Sequence, residues 1–197
     1  MRSVLVGLMV LFCTTFPAPS AAAPCQQAEL FATDDTDPLF EMQADVTLAL
    51  NGAAVMGSTP LDGVYWSNAL QQSTHERSRE FHLCGADGSS RTAAEALRRQ
   101  FTQEAVLTFD YLPQNAPQQD AIIIAVPNVD IARFGDALVA DPTARNRLRG
   151  GSVTTPDHTL ILVAGDDALD LARRLVGEAG GSWDAATIAY GRREFVE

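Results

Sequence analysis

Three histidines, at positions 75, 82 and 158, are the only imidazoles in this 197-residue chain, and none has a second at the i, i+4 spacing of a helical H-E-x-x-H metal motif. No zinc site is expected from them. His82 alternates with Phe81 and Leu83 in a strand-like run, where an imidazole becomes an acid or base only if a carboxylate meets it from elsewhere in the fold. Asp87 and Asp110 are the carboxylates that a small secreted hydrolase would use with it. His75 lies in the polar stretch STHERS (residues 73–78), and His158 follows the turn pair Pro156-Asp157. No G-x-S-x-G elbow occurs, and Ser89-Ser90 after Asp87-Gly88 reads as a helix entry rather than a nucleophile. Catalytic residues therefore remain unassigned at this level, and the lack of a convergent set leans towards a protein that is not an enzyme.

All 14 basic residues are arginine. A Schiff-base lysine, a pyridoxal phosphate anchor, a Walker A loop and a Ser-Lys dyad all need an ammonium that this chain lacks, and no cofactor is expected. Arg145, Arg147 and Arg149, ahead of Gly150-Gly151, form the one local positive cluster of the sequence. Arg145 and Arg149 share a helical face at i, i+4, and their guanidinium forks suit an anionic ligand or an acidic patch on a partner. The plainer reading is that cations at a helix C-terminus complement its dipole. Asp34, Asp35 and Asp37, followed by Glu41, gather oxygen ligands as an extracellular calcium loop would. Pro38 and Leu39 break the EF-hand pattern, so a solvated acidic turn explains the run better.

Compartment is read from the first 22 residues. Arg2 supplies one positive charge, residues 4–12 (VLVGLMVLF) are apolar, and the alanines at 21–23 suit a signal peptidase, with cleavage after Ala22 keeping Pro24 away from the cut. The apolar run is too short to span a bilayer, which takes roughly 18 residues or more, so no stable membrane span is expected after cleavage. Cys13 would leave with the leader. Cys25 and Cys84 would remain, and in an oxidising compartment two cysteines are expected to pair. Loss of Arg2 leaves 13 arginines against 25 acids, a net charge of −12. Such a surface repels nucleic acid and anionic membrane and favours solubility.

The elements that would position these groups follow from periodicity. Residues 23–42 read as an acidic N-terminal segment, 43–112 and 113–120 as a first α+β half and a proline-punctuated linker, and 121–197 as a second half. In the second half, AIIIAV (121–126) is a buried strand, Asp130 caps a helix, Asp141-Pro142 opens another, and residues 152–155 and 159–164 form a hairpin. A capped helix from Asp166 and a strand over 185–190 complete it. In the first half, residues 43–50 alternate as a strand, Thr59-Pro60-Leu61-Asp62 starts a helix with Trp66 and Leu70 on one edge, 79–84 is a strand, Thr92-Ala93-Ala94-Glu95 is a capping box, and 105–112 is a strand. The implied fold class is α+β: two ferredoxin-like (βαββαβ) halves, related by an internal repeat and either separate or sharing one mixed antiparallel sheet. The weak point is the stretch 73–78, which leaves little room for a strand after the first helix.

These observations favour an exported, acidic, non-enzymatic protein that binds a small ligand or another protein outside the cytoplasm. The secreted hydrolase is the first alternative. A cell-surface subunit that associates with copies of itself through its sheet is the second.

Overall fold

A computed structural model describes residues 25–34 and 37–197. The elements run β1 (Gln26–Thr33), α1 (Phe40–Leu50), β2 (Ala53–Ser67), β3 (Gln72–Gly85), α2 (Ser89–Gln100), β4 (Val106–Tyr111), β5 (Ala121–Val126), α3 (Ile131–Ala140), α4 (Pro142–Leu148), β6 (Gly150–Thr154), β7 (Leu160–Gly165), α5 (Leu169–Glu178) and β8 (Thr187–Val196). The strands close into one barrel in the order β1-β3-β2-β6-β7-β5-β8-β4, and β4 returns to pair with β1, Ala28 opposite Asp110.

That closure overturns the expectation of two ferredoxin-like halves with or without a shared open sheet. Two seams make a single ring: β2 with β6, from Leu61↔Thr154 to Tyr65↔Gly150, and β4 with β8, from Val106↔Val196 to Tyr111↔Gly191. The reason lies in the side chains on the second face of each strand. Helices cover the outer face only, and Phe31, Phe109, Ile123 and Val163 point the other way, forming a separate inner cluster. Rolling the sheet into a ring removes them from water and pairs the strands that an open sheet would leave unsatisfied.

Several local expectations change with it. The segment 43–50 is helix, not strand: Phe40, Ala44, Thr47 and Leu48 form its buried face, while Val46 and Leu50, which the alternating pattern would have buried, are 55% and 82% exposed. Both periods fit so short a run, and packing decides between them. Thr59-Pro60 does not start a helix but lies within β2. Pro60 can be accommodated because β6 joins the ladder only from Leu61 onward, and its carbonyl accepts from Thr155 N at 3.1 Å. The segment 73–78 is fully extended in β3, paired residue for residue with β2. The acidic N-terminal segment supplies β1, a central strand paired on both sides. Helix α2 opens at Ser89 behind Gly88, whose φ of 76° favours a residue without a side chain, so Thr92 lies inside the helix rather than at its cap. Asp166 opens a 3-10 turn ahead of α5, whereas Asp130 does cap α3, its Oδ1 accepting from Ala132 N at 2.9 Å and Arg133 N at 3.2 Å.

Two helical layers flank the barrel. Helices α1 and α2 pack on the outer face of β1 and β3 around Phe40, Phe81 and Leu97, with the Phe40 and Phe101 rings 4.7 Å apart. Helices α3, α4 and α5 pack on the second half around Phe134, Leu138, Leu162 and Leu175. Full burial of each such side chain contributes about 1.5 to 3 kcal/mol. Cys25 and Cys84 are paired, Cα atoms 5.4 Å apart and 59 residues apart in sequence, and tie the start of β1 to the end of β3. The leader expected at 1–22 lies outside the described residues, and among those described no helix is long and apolar enough to cross a membrane.

Candidate functional site

Strand alternation sorts the residues of β1 between two environments. Ala28, Leu30 and Ala32 face the helices, and Glu29, Phe31 and Thr33 face inward. On β3, Phe81 and Leu83 face out, so Glu76, Ser78, Glu80 and His82 take the inner side. Register then brings the inner residues together: Glu29 lies opposite His82 and Phe31 opposite Glu80. From β4 come Leu107, Phe109 and Tyr111 on the same side. Gly191 of β8 makes room for them, because a Cβ there would lie 2.6 Å from the Phe109 ring.

Glu29, Glu80 and His82 form a compact cluster whose ligand-type atoms lie within 4.8 Å of one another. Glu29 is held from two sides. His82 Nδ1 lies 2.7 Å from its Oε2, and the Tyr111 hydroxyl donates to its Oε1 at 2.9 Å. His82 Nε2 has Thr59 Oγ1 at 3.3 Å. Burial pushes the Glu80 carboxyl up to about 7, with the Glu29 charge adding to the rise and His82 opposing it. The hydrogen bond that His82 donates to the Glu29 carboxylate raises the imidazole above its usual range, against the pull of burial. Burial, followed by the Glu29 charge, raises the Tyr111 phenol. The arrangement can share or relay protons, or hold a cation.

A cavity of about 190 Å³ lies next along the inner face. Phe31, the register partner of Glu80, belongs to its wall. Seven of the eight strands contribute to the lining, with Leu107, Ile161, Val163 and Phe195 as apolar surface and Thr33, Glu76, Ser78 and Ser152 as polar points. Tyr65 closes one side, its hydroxyl hydrogen-bonded to Ser152 Oγ and its phenol raised by burial. Gly150 permits this, since a Cβ there would come within 2.4 Å of the Tyr65 ring. At the rim, the Arg149 guanidinium lies over the Phe195 ring, 5.2 Å from its centroid.

The residues singled out from sequence are dispersed. Arg149 reaches the cavity rim, whereas Arg145 is turned away, 4.4 Å over the Trp66 ring with Nη1 donating to the Val139 carbonyl. Arg149 itself ends α4 with φ of 61°, which breaks the helical register that would have aligned the two. Asp34 is committed to Arg79 at 3.3 Å, Asp37 Oδ1 accepts from Leu39 N at 2.8 Å, and Asp35 lies outside the described residues. Asp110 is on the outer face, bonded to Ser90 Oγ at 2.6 Å and Arg192 at 2.9 Å, so it cannot serve His82. Asp87 is exposed in the turn before α2. Reasoning from sequence missed Glu29 and Glu80. The Glu80-x-His82 spacing, which puts both on one face of a strand, was the available signal, but the partner Glu29 depends on a pairing that no local pattern specifies.

No family model matches the chain, and no curated protein does. Among solved structures, an anthrone oxidase-like protein is similar over 88% of this chain and 94% of its own, at 10% identity and a TM-score of 0.28. A proposed glycine cleavage system transcriptional repressor is similar over 90% and 99%, at 12% identity and a TM-score of 0.28. Likeness this distant carries no argument about activity, so the functional reading rests on the geometry alone.

Proposed function

We propose that this protein is an extracytoplasmic binding protein that holds one small, mainly apolar molecule with an acidic group inside its barrel. The observation that carries the reading is the cavity itself, an apolar space of about 190 Å³ walled by seven strands with Arg149 at its rim. Apolar walls supply most of the affinity in such sites, and a few placed polar groups fix orientation. A guanidinium at the mouth prefers a carboxylate or phosphate over a neutral end group. The cysteine pair fits a protein matured in an oxidising compartment. The net negative charge of the chain disfavours nucleic acid as a partner.

Thermal-shift titration with aliphatic and aromatic carboxylates of increasing size tests this, because a ligand that binds only the folded state raises Tm. A size optimum is expected, abolished by Val163→Phe, which fills the cavity. If no member of the series raises Tm, or if Val163→Phe responds like the parent, the reading fails.

A further inference from the structure

We propose that Glu29, Glu80 and His82 form a binding site for a divalent transition-metal ion, with zinc as the reference case, on the inner wall of the barrel where β1 pairs with β3. The first observation is the convergence of three ligand-type atoms within 4.8 Å. Zinc bonds to carboxylate oxygen and imidazole nitrogen are about 2.0 to 2.2 Å long, so shifts of about 1 Å, within the reach of side-chain rotation, would bring the three donors onto one ion.

The second observation is independent of that spacing. Glu80 is only 6% exposed, yet among the described residues its carboxylate makes no hydrogen bond or ion pair within contact distance and feels only the charges of Glu29 and His82 nearby. Buried carboxylates in folded proteins are paired or ligate a cation. Among the described residues no guanidinium is paired with Glu80: Arg79, the neighbour of Glu80 on β3, engages Asp34 and Glu41, and Arg192 engages Asp110. In the metal-free cluster the one group able to carry positive charge beside the two carboxylates is His82 itself, bonded to Glu29, and a metal ion would take over from its proton on Nδ1 while giving Glu80 the direct partner it lacks.

The surroundings suit ligation. Tyr111 holds Glu29 Oε1 at 2.9 Å and leaves Oε2 to face the ion, the role of an orienting partner behind a ligand. His82 presents Nδ1 to the cluster while Thr59 meets Nε2, which fixes the ring. With its side chain 41% exposed, His82 also marks the route by which an ion enters from solvent. Two oxygens and one imidazole nitrogen select zinc, cobalt(II), manganese or iron(II) over calcium, which takes six to eight oxygens. Three protein ligands leave at least one position for water or another small donor. This inference does not depend on what occupies the neighbouring cavity.

The test is zinc titration of the purified, chelator-stripped protein, followed by calorimetry and by NMR of the histidine side chains. One equivalent of zinc is expected. Of the three imidazoles, His82 alone should shift, while His75 and His158 serve as internal controls. Glu80→Gln and His82→Gln should abolish stoichiometric uptake, and Tyr111→Phe should weaken it about 10- to 100-fold, as loss of an orienting partner does. Absence of uptake by the parent, zinc-induced shifts at His75 or His158 instead of His82, or equal affinity in the Glu80→Gln and His82→Gln variants would each overturn the proposal. Should a variant fail to fold, the imidazole shifts of the parent decide alone.

Discussion

The inner surface of the barrel is divided between two arcs of unlike character. The arc from β1, β3 and β4 carries Glu29, Glu76, Ser78, Glu80, His82 and Tyr111, whereas β5, β7 and β8 answer with Ile123, Ile161, Val163 and Ala189. The outer faces show no such difference, since both are packed against helices through aliphatic and aromatic side chains. One half of the chain thus spends stability to place titratable groups in its interior, and the other recovers it by apolar burial. That division is what a binding or reactive site needs: chemistry on one wall and a dry, shape-defining surface opposite.

The largest expected effect probes the tie that only the polar arc possesses. Replacing Cys25 and Cys84 with Ser should cost about 4 kcal/mol on the loop-entropy estimate. Hydrogen exchange checks the asymmetry, with protection falling first in β1 and β3 and later in β5 and β7. Uniform loss of protection would mean that the two arcs unfold as one.

Placing the same amide on each arc gives the next two effects, with opposite signs. Ile123→Gln removes a side chain only 7% exposed and buries an amide with no polar neighbour from its own arc, at an expected cost of about 3 kcal/mol by chemical denaturation. Glu80→Gln in metal-free protein should instead stabilise at pH 8. The folded-state pKa of Glu80, about 7, lies above its ordinary value of 4.5, so the parent's stability is fully present below pH 4.5 and falls as pH rises through 7. Gln does not titrate. The gain should be about 3 kcal/mol at pH 8 and vanish by pH 4. A Tm difference between parent and variant that does not change with pH would refute the buried-carboxylate account.

The smallest effect separates two arginines of one helix end. Arg149→Gln should weaken a carboxylate ligand about tenfold, the size of a lost charge-assisted contact, while Arg145→Gln leaves affinity unchanged. Equal effects would place the anionic group away from the cavity rim.

How far sequence reaches is clear from the same contrasts. Segment 121–126 was legible as a strand because an unbroken apolar run of six leaves little else, and Asp130 was legible as a cap because its bonds run to residues only two and three further on, Ala132 and Arg133. Segment 43–50 was not, since Ala44 and Leu48 satisfy both a two-residue and a four-residue period. Closure of the ring was hidden for a related reason: the pairing of β4 with β1 and β8 joins segments far apart in the chain, and alternation reveals two faces without saying what covers each. The site fell with the topology. His82 was visible, but Glu29 becomes its neighbour only once β1 and β3 are in register.

Because the hydrogen-bonded ring returns to its own first strand, every described strand has a neighbour on both sides over part of its length, and among the long strands the stretch 53–60 of β2, laddered to β3 alone, is where a foreign peptide could add in β-fashion. Elsewhere on the ring a protein partner would be read by side chains and loops. Strand exchange between copies, the common route from folded monomer to fibril, would first have to tear open one of the two seams.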